Sequence, residues 1–245
     1  MLDPYTGELN DKNIAQIFEG AADFIRRELV VGDNCIYAYA IDGLIASGDA
    51  SEYIFKPIVE AIGKDSVEKQ YIRAKSGVIY NCVAVDVGDL KQAAHLLVNG
   101  FCVVLFPGAG AIAYEVKTPD KRGTSAPQVE NTVKGAKDAF VETIRSNTSY
   151  IRRHLRTPDL RIFEMQIGRR SLTNVSVLWI KDLTNDDLVS KLKQRLELID
   201  VDALLSPSAV EEYFTGSRST AFPLLQYTER TDRFCQGLLD GELVF

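Results

Sequence analysis

The chain has 245 residues, 46% hydrophobic and 25% charged, with 28 Lys+Arg against 34 Asp+Glu and a net charge of −6. These proportions exclude disordered and collagen-like chains, and the acidic balance argues against a protein that coats duplex nucleic acid, which needs a basic surface to displace counterions. The length suits two lobes of roughly 120 residues, each large enough to bury a core.

The opening Met1-Leu2-Asp3-Pro4-Tyr5 is too acidic and polar for a signal peptide. Ile14, Ile17, Phe18, Ala21, Ala22 and Ile25 stand at helical spacing and predict an amphipathic helix over 13–29. A strand over 35–41 follows and stops at Asp42-Gly43. Asp49-Ala50-Ser51-Glu52 then has capping-box spacing before a helix reaching about Ile62. Residues 83–87 read as a strand and 89–98 as a helix that closes at Asn99-Gly100.

From Leu96 to Tyr114 there are 19 consecutive uncharged residues, close to the length of a membrane span. Asn99-Gly100 and Pro107-Gly108-Ala109-Gly110 divide that stretch, so it predicts a helix end and a hairpin of 101–106 with 111–117. The run Arg122-Gly123-Thr124-Ser125-Ala126-Pro127 has a connector's composition. We therefore expect a first lobe over 1–125, a linker over 126–136 and a second lobe over 137–245.

The second half repeats the order of the first. An amphipathic helix is predicted over 138–155 and a strand over 174–180, whose end, Lys181-Asp182-Leu183, is in register with Asp42-Gly43-Leu44. Thr184-Asn185-Asp186-Asp187 has the form of an N-cap with acids in the first turn, opening a helix to about Ile199. Leu238-Leu239-Asp240-Gly241 then echoes Leu97-Val98-Asn99-Gly100, and residues 242–245 echo the start of the strand at Phe101. The fold class is thus α/β with two similar lobes from an internal duplication. By the same repeat, the protein is expected to continue past Phe245 with a turn and a second strand.

Enzyme signatures are scarce. Gly108-Ala109-Gly110 leads into a strand-like run rather than a helix, so it reads as a turn and not a nucleotide loop. There is no phosphate-binding GxxxxGK[ST] and no Gly-x-Ser-x-Gly elbow. His95 and His154 lie in separate helical segments, and the cysteines at 35, 82, 102 and 235 sit in apolar runs without CxxC spacing, so no metal or cofactor is expected. Adjacent acids such as Glu211-Glu212 and Asp186-Asp187 read as solvated helix starts. Asp200 and Asp202 flank Val201 in alternation, which suits turn chemistry or the lining of an interlobe cleft.

Arginine stands out: residues 129–245 hold eleven Arg and five Lys, against four Arg and eight Lys in 1–128. Arg145, Arg152, Arg153, Arg156, Arg161, Arg169 and Arg170 are opposed within 145–171 only by Asp159 and Glu164, and Arg145, Arg152 and Arg156 share one helical face. Their planar forks suit ion pairs within the chain, acids of a neighbouring subunit, anionic lipid headgroups or a small bound anion. Adjacent Arg152 and Arg153 cannot point the same way on one helix, so one is expected to face the surface and the other to pair internally.

The same segments carry a family resemblance. Residues 135–155, Met165-Gln166-Ile167-Gly168-Arg169-Arg170-Ser171, Ile199-Asp200-Val201-Asp202 and Tyr227-Thr228-Glu229-Arg230-Thr231-Asp232 resemble the N-terminal region of A subunits of GerA-type spore germination receptors. Phe140-Val141-Glu142-Thr143-Ile144, Asn147-Thr148 and Met165-Gln166 point to the branch called stage V sporulation protein AF. The first lobe rests on Ile41-Asp42-Gly43-Leu44 and general order. The chain departs from the family pattern at Ala126 in Ala126-Pro127-Gln128-Val129-Glu130, at Lys134-Gly135-Ala136, and at Thr231, where the family has proline.

The resemblance implies a soluble domain of two α/β lobes, similar in outline to a solute-binding protein, joined to a multi-span region in the spore inner membrane and lying on its cytoplasmic, spore-core side. It implies a non-enzymatic role in assembling germination subunits, possible homo-oligomers included, and in coupling the germination signal to ion release. The alternative it carries is a sensor of a small-molecule germinant, held in a cleft for which Asp42, Asp200, Asp202 and Arg230 are candidates. Arg145, Arg152, Arg153, Arg156, Arg169 and Arg170 are the candidates for contact with a partner or anion, and no nucleic acid is expected.

Overall fold

The computed structural model describes residues 5–79, 83–118, 130, 138–204, 206, 209–211, 213 and 225–245. The chain divides into two compact units, each with its own helices and sheet: Met1–Lys121 with Thr148–Asp159, and Arg122–Asn147 with Leu160–Phe245. Apart from Glu130, the expected linker at 126–136 lies outside the described residues, as does Cys82.

The first unit opens with α1 (Asp11–Ile17), β1 (Phe24–Val31) and β2 (Asn34–Ile41). A helical stretch follows, α2 (Ser47–Ala50) running through a π turn (Ser51–Phe55) into α3 (Lys56–Glu60). Then come α4 (Val67–Arg73), β3 (Ala84–Val87), α5 (Leu90–Val98), β4 (Phe101–Phe106) and β5 (Gly110–Glu115). The five strands form one antiparallel sheet in the order β1-β2-β4-β5-β3. Helices cover both faces. Ile36, Ala38, Val104, Phe106 and Ile112 pack with Ile54, Ile58 and Ala74, whereas Tyr39, Ile41, Val103, Leu105 and Ala113 pack with Ile14, Phe18, Leu90 and Leu97.

Because β4 is central and covered on both sides, all six of its residues are buried, so it reads as an unbroken apolar run instead of an alternating one. That is the origin of the membrane-length stretch. Among the described residues, no helix is long and apolar enough to cross a membrane.

Two first-unit expectations are corrected. The helix predicted over 13–29 ends at Ile17, and Gly20 turns left-handed (φ 79) before β1 begins. The misreading has a physical cause: Ile25 and Leu29, four apart, share a face in a strand as well as in a helix, and both pack on the core. The helix expected from Asp49 starts at Ser47 behind Ala46, with no side-chain cap, and Ser51 Oγ donates to the Ser47 carbonyl (2.9 Å) instead of capping. By contrast, Asp89 caps α5 by accepting from the Gln92 N–H.

The second unit holds β6 (Leu160–Ile167) and β7 (Thr173–Ile180), an antiparallel pair, with α7 (Asp186–Glu197) and α8 (Thr231–Leu239). The helix between the units' strands, α6 (Ile144–His154), begins with second-unit residues and ends with first-unit residues. Ile167, Val177 and Trp179 pack against Val189, Leu192 and Leu196. The helix expected over 138–155 starts only at Ile144. Asn147 replaces the missing turn: its side chain accepts from the Val141 N–H (2.9 Å) and donates to the Val141 carbonyl (2.7 Å), while Ala139 bridges to Arg230.

The two units match residue for residue at their turns. Gly43 (φ 82) and Asp182 (φ 70) both take left-handed conformations after their strands, and Leu44 and Leu183 donate to the carbonyls of Ile41 and Ile180. Helices then start behind Ala46 and Asn185. Later, Gly100 (φ 80) and Gly241 (φ 82) end α5 and α8, and the next strand pairs Val103 with Tyr39 in one unit and Val244 with Leu178 in the other.

Candidate functional site

Two of the sequence segments singled out above build one surface feature in the second unit. After β6 the chain turns at Gly168 (φ 95), and the N–H groups of Arg169 and Arg170 donate to the carbonyls of Val201 and Asp202 (2.9 and 2.8 Å). Ser171 Oγ accepts from the Leu204 N–H (3.1 Å), and Thr173 Oγ1 donates to the Leu204 carbonyl (2.7 Å). The β6–β7 turn is thereby fastened to 201–204 through its backbone. Its side chains pair in the same order, Arg169 with Asp200 (2.5 Å) and Arg170 with Asp202 (4.0 Å), and all four are largely exposed. Exposed pairs of this kind contribute about 1 kcal/mol or less, so the turn's geometry rests on the backbone bonds and the guanidinium groups remain on the surface.

A second cluster gathers around Glu130. Its carboxylate accepts from Thr228 Oγ1 (2.7 Å) and Arg233 (2.8 Å), and its N–H donates to Glu229 (2.9 Å). Arg230 grips Asp232 with two nitrogens and holds that carboxyl below the usual carboxylate range. Thr231 donates its N–H to the Asp138 carbonyl (3.4 Å), Phe140 donates to Glu229, and the rings of Phe140 and Phe234 meet edge to face at 5.1 Å. The Tyr227-to-Asp232 segment is thus a brace for 130 and 138–140.

The remaining candidates fall as follows. Arg145 faces Glu164 across 3.3 Å in the second unit. Arg152 is fully buried in the first unit, where its fork meets both carboxylate oxygens of Asp23 (2.7 and 2.8 Å) and donates to the Thr157 carbonyl. This corrects the expectation that Arg152 contacts a partner or an anion, since a desolvated and paired guanidinium cannot meet an outside anion. Arg153 donates to the Thr118 carbonyl (3.2 Å), and Arg156 to Asn99 Oδ1 (3.3 Å) and to the Arg153 carbonyl. Asp42 accepts from the Gly43 N–H in the turn after β2. Arg152, Arg153 and Arg156 therefore belong to the first unit, and Arg145, Arg169 and Arg170 to the second. The candidate acids Asp200 and Asp202 serve as partners of candidate arginines.

Sequence reading missed four residues. Asp23 carried no signal, because its partner is 129 positions away. Glu130 was visible only as the retained acid of the linker pattern, and Asn147 only as part of a resemblance. Lys193, one of many charges on α7, places its ammonium 4.6 Å from the Phe163 ring and 4.5 Å from the Trp179 ring, and burial lowers its pKa. In the Gly108-to-Gly110 turn, a side chain at Gly110 would come within 2.9 Å of the Tyr71 ring, so this glycine makes room for a tyrosine. Among the described residues, no group of three His, Cys, Asp or Glu side chains could hold a metal ion.

Comparison with known proteins bears on both units. The family model for the Bacillus/Clostridium GerA spore germination protein matches residues 12–245. Stage V sporulation protein AF of Bacillus subtilis is 29% identical over 220 residues, covering 89% of this chain and 44% of that protein. Spore germination protein XA of Bacillus anthracis is 34% identical over 155 residues, covering 63% of this chain and 32% of that protein. The N-terminal domain of the A subunit of the Bacillus megaterium spore germinant receptor GerK3 has the same fold, with a TM-score of 0.68 at 22% identity over 95% of this chain and 87% of that one. The chain spans less than half the length of the curated relatives it matches.

Proposed function

The chain belongs to the Bacillus/Clostridium GerA spore germination protein family, and from that membership we propose that it is a non-enzymatic domain that assembles germination-protein subunits and couples the germination signal to ion release. In this reading it lies on the cytoplasmic side of the spore inner membrane, attached to a membrane region of the same protein. The observation that carries the proposal is the use of the motif residues. Gly168 to Ser171 and 200–204 are bound to each other, and Thr228 to Arg233 are bound to Glu130 and 138–140, which makes a rigid scaffold instead of a set of convergent reactive groups. What that scaffold presents to a partner is the turn bearing Arg169 and Arg170, with 68% and 84% of their side chains exposed.

The test is co-purification of the full-length protein with its germination partners from spores, wild type against Arg169→Glu/Arg170→Glu. The expected result is loss of partners at unchanged abundance and melting temperature. Unchanged association and unchanged germination would overturn the assembly reading. So would a rise in melting temperature with a nutrient amino acid or sugar that the double variant does not alter, because a ligand that binds the native state stabilises it by mass action.

A further inference from the structure

Helix α6 is shared by the two units: Ile144 to Asn147 belong to the second and Thr148 to His154 to the first. Its two parts are held differently. The buried residues of α6, Thr148, Ile151 and Arg152, all lie in the first-unit part. There Arg152 meets both carboxylate oxygens of Asp23 and donates to the Thr157 carbonyl, and the Leu155 N–H donates to the Ile151 carbonyl (2.8 Å).

The second-unit part is a single turn, half-buried from Ile144 to Asn147. Polar contacts attach it: Arg145 reaches Glu164 across 3.3 Å, and Asn147 exchanges two hydrogen bonds with Val141. One turn does not persist alone, because nucleating a helix costs more than its first hydrogen bonds return, and isolated helices shorter than about 12–15 residues are marginal in water. The turn that presents Asn147 therefore depends on the docked part of α6. From Val141 the contacts continue within the second unit. The Phe140 N–H donates to the Glu229 carbonyl (2.9 Å), Ala139 bridges Arg230, and Thr231, the first residue of α8, donates its N–H to the Asp138 carbonyl.

We propose that α6 couples the stabilities of the two units: docking of its first-unit part by the Asp23–Arg152 pair fixes the Asn147 turn, and through it the 138–141 segment against which the start of α8 is bonded. The side-chain contacts in this series each lie within one unit, and the continuous hydrogen-bonded backbone of α6 joins them. The ion pair is the sensitive point because it is buried. Altering one partner leaves the other charge in a low-dielectric interior, and undocking the helix end is how that charge regains water. A disturbance at the turn before β1 is thereby read in the second unit at the Tyr227-to-Asp232 segment. This coupling goes beyond the assembly reading and does not depend on it, since it concerns linkage inside the chain whatever its surface binds.

The experiment compares the wild-type chain with Asp23→Asn by amide hydrogen exchange at Leu155 in the first unit and Val141 in the second. Trp179, the single tryptophan, reports urea unfolding of the second unit by its fluorescence. The expected result is exchange faster by at least about 10-fold at both amides in Asp23→Asn, with an earlier Trp179 transition. Inserting two glycines between Asn147 and Thr148 should speed exchange at Val141 and abolish its response to Asp23→Asn, because the docked part then no longer carries the turn. Arg152→Lys keeps the charge opposite Asp23 but loses the fork, and it serves as the milder variant if Asp23→Asn does not fold. Faster exchange at Leu155 with Val141 and Trp179 unchanged would show two independent half-helices. A Val141 response that survives the insertion would show a route other than α6, and an unchanged Leu155 in both variants would show that the ion pair does not hold the helix. Each of those outcomes overturns the proposal.

Discussion

Asp23 and Arg152, 129 residues apart in the sequence, form a two-point ion pair that is almost wholly shielded from solvent. The pair ties the end of α6 to the turn before β1 within the first unit. Its energetic weight is asymmetric. The attraction between the two charges largely offsets their joint desolvation, but removing one partner strands the other in a low-dielectric interior. Arg152→Met should therefore cost about 3–5 kcal/mol in urea unfolding, while Asp23→Leu/Arg152→Met should recover most of that loss. Equal destabilisation by the single and double variants would show that packing, and not the stranded charge, sets the cost.

Asp11 gives the first unit a pH dependence. The Arg26 guanidinium hydrogen-bonded to it holds its carboxyl below the usual carboxylate range, against the opposing effect of burial, and the Tyr39 hydroxyl (2.8 Å) adds to the lowering. A carboxyl that is more acidic when folded stabilises the fold above its unfolded pKa, and the contribution is lost as pH falls through the folded value. Asp11→Asn should lower stability at pH 7 by about 1 kcal/mol. The difference from wild type should shrink as pH drops below about 4. A difference that does not change with pH would assign the loss to shape.

Gly100 and Gly241 occupy matching left-handed positions, and each lies against the carbonyl of a matching leucine. A Cβ would come within 3.1 Å of the Leu44 oxygen at one and 2.8 Å of the Leu183 oxygen at the other. Alanine at either should cost about 1–3 kcal/mol through backbone strain and crowding, whereas Gly48→Ala, in a helix with nothing within 4 Å, should be neutral or stabilising by up to about 1 kcal/mol. Thermal unfolding of the three variants measures this. A neutral Gly241→Ala would remove the conformational half of the repeat.

Gly110→Ala should destabilise by about 1–3 kcal/mol, because the added methyl meets the Tyr71 ring. Tyr71→Ala in the same chain should make the second substitution cheaper. A double-mutant cycle in urea reads the coupling, and strict additivity would show that the positive φ of Gly110 (149°), and not the ring, is what matters.

What could be read along the chain was whatever is settled within a few residues. The hairpin at Pro107-to-Gly110, the Asp89 and Asn185 caps and the Asn99-Gly100 stop all follow from turn and cap chemistry that needs no distant partner. The misplaced helices failed at the same scale, where two local solutions compete. Ile25 and Leu29 suit a strand as well as a helix, and Val141 is satisfied by the Asn147 amide instead of by a helical turn.

The sequence by itself determined the α/β class, the family resemblance, the repeat of turn and cap positions and the excess of arginine in the second half, since composition and short-range spacing are properties of the chain before it folds. Only the tertiary structure decided where each charge went. Whether Arg152 meets Asp23, Arg233 meets Glu130 at a separation of 103 residues, or Arg169 meets Asp200 depends on which backbones are brought within about 3 Å of one another. The same holds for Leu44 and Leu183, equivalent in sequence and opposite in exposure at 5% and 53%: burial belongs to the neighbours a residue acquires.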